Sequence, residues 1–181
     1  MKTFAYVAAA LVVSSSSFAA AQPAPAGYAP VTLTKDVLAL GATCRESGGK
    51  PGKSPGLIQQ ADLTGDGLTD FVLDLNSYNC EGAASAMGAG QSGAVISIYV
   101  GGPGNTARKV WEGLAFQAKV ERTAPKARVW VAIQGRDCGQ RNAAQASMAD
   151  QIGCNRPLNW NASKSTFAYA PLAEAKPFNV Q

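Results

Sequence analysis

The residues with the clearest chemical potential lie in one stretch, Asp62-Leu63-Thr64-Gly65-Asp66-Gly67-Leu68-Thr69-Asp70. Calcium is a hard cation that takes about six to eight oxygens, so a loop that holds it must turn several carboxylates inward around one sharp bend. Here Asp62, Thr64 and Asp66 offer side-chain oxygens at the first, third and fifth positions, and Gly67 permits the bend at the sixth. Leu68 offers its carbonyl at the seventh, and Asp70 closes the set at the ninth. The spacing predicts a Ca2+ loop. It departs from an EF-hand in two respects: Leu73 stands where the bidentate Glu belongs, and the following residues read as a strand instead of a helix. The plainer alternative is a tight Asp-Gly turn with solvated carboxylates. Asp74, on the same strand face as Asp70, is expected either to add a contact or to be solvated.

Little else in the chain can do chemistry. The 181 residues contain no histidine, which removes Ser-His-Asp and Cys-His catalysis and the usual zinc hydrolase ligand sets. Asp74 and Asp137 remain as an acid and base pair for a carboxylate-dependent hydrolase. Gly52-Lys53-Ser54 lacks the upstream glycine of a phosphate loop, since Ser47 stands there, and Pro55-Gly56 prevents the helix that would hold phosphate. Gly90-Gln91-Ser92-Gly93-Ala94 falls one glycine short of a nucleophile elbow. Of Trp111, Trp130 and Trp160, only Trp130 falls opposite an apolar strand face, that of Val129, Val131 and Ile133, beside Arg128. Arg128 and Trp130 are therefore the candidate binding patch for a protein or a glycan, unless a second packed layer covers them.

These residues must be positioned by a domain whose limits are legible. Lys2, the ten-residue apolar run Phe4 to Val13 and Ala19-Ala20-Ala21 have the form of an export signal cleaved before Gln22. The run is too short to span a bilayer as a helix, and no later segment approaches that length. Removing residues 1–21 from 181 leaves 160, enough for one domain with its own core. A Pro/Ala-rich leader follows over 22–30, then a single β-rich domain over 31–172 and a tail over 173–181. The location is exported, periplasmic or extracellular. There, four cysteines predict two disulfides; sequential pairing, Cys44 with Cys80 and Cys138 with Cys154, closes one local loop each. The net charge is +4, and the basic residues are scattered along alternating strands in the manner of solvated faces, so no nucleic-acid partner is expected.

The elements follow from periodicity. A short helix is expected over Lys35–Cys44, capped by Thr34, with Val37, Leu38, Gly41 and Cys44 on one side; a strand is the alternative there. Strands are expected at 57–61, 71–75, 94–100, 106–112, 115–121 and 127–134, with two short ones at 158–161 and 166–169. The segment 135–157 reads as a polar loop with a helix over 142–152, and the chain beyond Pro171 as frayed. Short strands, Gly/Pro turns and no fixed repeat predict a mainly β fold, an antiparallel sandwich or open barrel with one or two short helices.

The run Asp-x-x-Gly-Asp-Gly-x-x-Asp-Phe, leading into a strand, resembles the calcium loops of FG-GAP and VCBS repeats. That resemblance implies Asp62, Thr64, Asp66, Leu68 and Asp70 as ligands and a loop joining two strands. More broadly, the chain is similar to small exported bacterial proteins without assigned function. The expectation is a non-enzymatic exported β-domain with a structural calcium loop, serving as a binding or envelope-associated module. An inhibitor or receptor of an extracellular enzyme or glycan is the alternative.

Overall fold

The computed structural model describes residues 29–88, 93–123 and 126–178. The expected signal segment, most of the leader, the Gly90-Gln91-Ser92 stretch and the last three residues lie outside them. The described chain runs α1 (Val31–Glu46), β1 (Lys50–Pro51), β2 (Ile58–Ala61), β3 (Asp70–Asp74), β4 (Cys80–Glu81), β5 (Ala94–Gly102) and β6 (Thr106–Ala115). It continues through β7 (Gln117–Glu121), β8 (Arg128–Gln134), β9 (Gly153–Asn161), β10 (Thr166–Tyr169) and β11 (Lys176–Pro177).

Alternating apolar residues need a surface on each side they point to, and the fold supplies three layers. The first sheet has the order β2-β3-β5-β6 and the second β10-β9-β8-β7, with β11 also pairing to β9. All pairings are antiparallel, so the fold is the mainly β, sandwich-type architecture expected. Between the sheets, Val72, Ile96 and Ile98 pack against Val129, Val131 and Leu158. On the other face of the first sheet, Leu33 of α1 covers Phe71, Leu73 and Tyr99. Strand β3 is therefore buried along its whole length, and its unbroken Phe-Val-Leu run is the pattern of a strand covered on both faces.

The seams between the sheets are closed by side chains. The Gln59 amide acts as a surrogate peptide, donating from Nε2 to the Ala118 carbonyl at 2.8 Å and accepting the Val120 N–H at 3.0 Å. On the opposite side Thr166 Oγ1 donates to the Val110 carbonyl at 2.6 Å. The chain crosses from one sheet to the other at Phe116, whose N–H donates to the Ala132 carbonyl at 2.8 Å. Both expected disulfides form, Cys44–Cys80 between α1 and β4 and Cys138–Cys154 between the turn after β8 and β9. Such bridges belong to oxidising compartments. No helix among the described residues is long and apolar enough to cross a membrane.

Four local expectations are corrected. The helix starts at Val31 after Pro30 with no side-chain cap; proline pre-sets the entry geometry, and Thr34 lies inside the first turn. Its buried face is Leu33, Gly41 and Cys44, whereas Leu38 is 66% exposed, because the stripe runs through Val37 and Leu40. No helix spans 142–152: the Gln140 side chain accepts the Ile152 N–H and donates to the Asp150 carbonyl, holding this segment as a loop before β9. Beyond Pro171 the chain makes a turn at Leu172–Glu174 and then pairs as β11, Lys176 with Asn155 and Pro177 with Cys154.

Candidate functional site

The Asp62–Asp70 loop joins β2 to β3 and is tied by its own acids. Asp62 accepts the Gly65 N–H at 2.6 Å on Oδ1 and the Gly67 N–H at 2.9 Å on Oδ2. Asp66 Oδ1 accepts the Leu68 N–H at 2.9 Å. Gly65 and Gly67 both take positive φ, 85° and 82°, the conformation such a bend requires and that glycine adopts at least cost. Asp70 turns the other way, into the protein. It is fully buried, and it accepts Leu63 N–H at 2.8 Å and Thr64 N–H at 3.0 Å on Oδ2 and Gly101 N–H at 2.9 Å on Oδ1. Burial pushes its carboxyl above the ordinary value, against the pull of those three N–H groups. A Cβ on Gly101 would stand 2.1 Å from the Thr69 carbonyl oxygen, so only glycine lets the end of β5 approach the loop this closely.

Among the described residues no three Asp, Glu, His or Cys side chains stand together as a ready metal cage. What the loop does hold is an orphan: Thr64 Oγ1, at the third position, is buried without any hydrogen-bond partner. Leu68 is half-buried behind the bend. The donor set of Asp62, Thr64, Asp66 and the Leu68 carbonyl matches the oxygen chemistry of calcium, with Asp70 engaged as the hub that fastens the loop to β5.

Asp74 is not solvated. It is 1% exposed, accepting the Ala118 N–H at 2.9 Å on Oδ2 and both the backbone N–H and Nδ2 of Asn76 on Oδ1. Asn76 then donates to the Ala115 carbonyl and accepts the Ala94 N–H. Asp74 and Asn76, the latter not singled out by the sequence, brace the corner where β6 becomes β7. Asp137 is exposed and lines an open pocket of about 220 Å³ with Phe116, Gln134, Met148 and Gln151; Asp74 does not line it. The pair that a carboxylate hydrolase needs is not presented to one cavity.

Trp111 and Trp160 pack inward, Trp111 edge-on to Tyr169 and Trp160 against Phe167. Trp130 lies on the outer face of the second sheet, half-buried and opposite exposed Lys119, with its indole N–H donating to Glu121 Oε2 at 2.8 Å. Arg128 stands beside it, 5.7 Å from its ring centroid. The chain that lies against this face is the turn at Leu172–Glu174 and β11, through Glu174 on Arg128 and Lys176 over Trp130.

A second polar cluster fixes α1. The Tyr99 hydroxyl donates to Asp36, Lys109 bridges Asp36 and Glu112 at 3.3 and 2.9 Å, and Ser97 donates to Glu112 at 3.0 Å. Burial, reinforced by the Asp36 carboxylate, pushes the Tyr99 phenol up to about 12. The hydrogen bond from Tyr99 holds Asp36 low, and that from Lys109 does the same for Glu112. A phenol raised on folding contributes stability that is complete below its unfolded pKa of about 10 and is lost as pH rises toward the folded value. Tyr99→Phe should therefore lose about 1–2 kcal/mol at neutral pH. In urea unfolding the gap from wild type should narrow above pH 10; a gap unchanged to pH 12 would place Tyr99 outside this account.

No family model, curated protein or solved structure matches the chain. What fold and site define is a disulfide-stapled antiparallel β-domain with an acid-tied loop between two strands, and the likeness to FG-GAP and VCBS loops rests on Asp62–Asp70 alone.

Proposed function

We propose that this chain is an exported, non-catalytic β-domain that acts as a binding module, in the periplasm or outside the cell, with its Asp62–Asp70 loop fastened by a structural calcium ion. The observation that carries the reading is the outer face of the second sheet, where Trp130 and Arg128 stand side by side on β8 and meet the polar side chains of Glu121, Asn159, Glu174 and Lys176. An aromatic platform beside a guanidinium suits recognition of a protein or glycan, as in an inhibitor or receptor of an extracellular enzyme or glycan. Both buried carboxylates, Asp70 and Asp74, are bound to protein donors, which favours binding over acid–base chemistry.

The unpartnered Thr64 hydroxyl, and Asp62 and Asp66 turned onto the N–H groups of the bend, support calcium as the loop's ligand. When bound, the ion would supply cross-linking charge to the bend. Loops of extracellular modules commonly bind it at about 10⁻⁴ to 10⁻³ M. The binding role is tested by screening the full chain on arrays of glycans and of extended peptides, wild type beside Trp130→Ala. Signals that vanish in the variant at unchanged melting temperature support the reading. If every signal survives Trp130→Ala, the face is not a recognition surface.

A further inference from the structure

The face around Trp130 is not empty, and what lies on it carries information about what it recognises. The Lys176 ammonium sits 4.1 Å from the Trp130 ring centroid. Glu174 Oε2 accepts a hydrogen bond from Arg128 Nη2 at 2.5 Å, and the same guanidinium reaches Asn159 Oδ1 at 2.8 Å. Two residues of one segment thus take the two groups able to recognise a ligand: the cation of the face holds a carboxylate, and its aromatic ring holds a cation. Backbone pairing sets the alignment, because β11 lies antiparallel on the edge of β9 and Asn155 Nδ2 donates to the Pro177 carbonyl at 3.0 Å. This is the arrangement of strand addition, in which main-chain bonds supply affinity and alternate side chains supply specificity.

The segment is held by a short ladder and a few side-chain contacts, with Phe178 against Phe116 and Ala175 against the core. The ladder is two residue pairs long. From Pro171 to Phe178 only Glu174 and Ala175 are not exposed, and the large apolar residues Leu172 and Phe178 are 47% and 37% exposed. A half-exposed ion pair and an exposed cation–π contact each contribute little, because solvent screens them. Without the segment the face would keep Lys119 and Arg128 against Glu121, an excess of positive charge that suits a carboxylate.

We propose that the outer face around Arg128 and Trp130 is a docking groove for an extended polypeptide that pairs with the β9 edge and carries a carboxylate two residues ahead of a cation. Residues Pro171–Phe178 occupy it as an intramolecular stand-in. This rests on the binding-module reading and names the partner class of that same face. A displaced stand-in also makes binding self-limiting, since the tethered segment competes at the high effective concentration of a short link.

The probe is a capped, fluorescently labelled octapeptide Pro-Leu-Ala-Glu-Ala-Lys-Pro-Phe, titrated by anisotropy into the full chain. Glu174→Ala with Lys176→Ala weakens the stand-in without touching the core and should bind the peptide at least tenfold more tightly than wild type. Adding Arg128→Ala to that variant should abolish the gain, as should replacing the peptide's own Glu and Lys by Ala. A folded double variant that ignores the peptide overturns the proposal, and so does binding that is indifferent to Arg128→Ala. Parallel titration with chitotetraose separates the two levels of failure. Sugar binding without peptide binding overturns the polypeptide assignment and keeps a binding module, whereas binding of neither removes both.

Discussion

Asp74→Ala should destabilise the protein by about 3–5 kcal/mol, among the largest losses available to a single substitution in this chain. Three donors converge on that carboxylate, from Ala118, from the Asn76 backbone and from Asn76 Nδ2. The site is closed to water, with Asp74 1% exposed, so donors left without an acceptor pay the cost of desolvation. An ionised carboxylate is acceptor-only and can serve all three, whereas an amide would turn its own N–H groups toward a donor. Asp74→Asn, although equal in shape, should therefore still lose about 2 kcal/mol. Both values are read from urea unfolding at neutral pH. A loss below about 1 kcal/mol for Asp74→Ala would mean that the corner between β6 and β7 is held by its apolar contacts alone.

Asp70→Ala should cost a similar amount, about 3–5 kcal/mol, and should do so in excess EDTA as well as in calcium. Its carboxylate binds the N–H groups of Leu63 and Thr64 on one oxygen and of Gly101 on the other, joining the loop to the end of β5. Removing it frees the loop and leaves Leu63, itself buried, with an unsatisfied backbone donor. Persistence of the loss in EDTA separates the role of a hydrogen-bond hub from that of a metal ligand. If the loss disappears when calcium is removed, Asp70 acts through the ion instead.

These two acids also mark where the sequence could be read and where it could not. The strands with clean alternation, such as Ala118 and Val120 against Lys119 and Glu121 in β7, have one face in the core and one in water, so period two identifies them. The disulfides were legible because sequential pairing closes compact loops. Asp74 was not, because an acid at the end of an apolar run looks solvated unless a third layer is known to cover the strand. The clue lay in Phe71-Val72-Leu73, which do not alternate with polar residues and so announce burial on both faces. Strand β11 was invisible for a different reason. It is two residues long and contains Pro177, tolerated there because it lies at an edge; its place depends on Arg128 and Trp130, more than forty residues away in the chain. The helix start was misplaced because Thr34 looks like a cap, although Pro30 already fixes the entry.

The Asp62–Asp70 loop remains the feature most open to direct test. Its bends, its acids and the unpartnered Thr64 hydroxyl support a bound cation, and a ligand that binds only the folded state raises stability by mass action. At calcium about ten- to a hundredfold above the dissociation constant the gain is about 1.4–2.7 kcal/mol, or roughly 3–10 °C in melting temperature for a domain of this size. The decisive measurement is thermal unfolding of wild type and Asp66→Ala in about 10 mM calcium and in excess EDTA. The account predicts a rise of that order with calcium for wild type and none for Asp66→Ala; identical melting of wild type in calcium and in EDTA would contradict it.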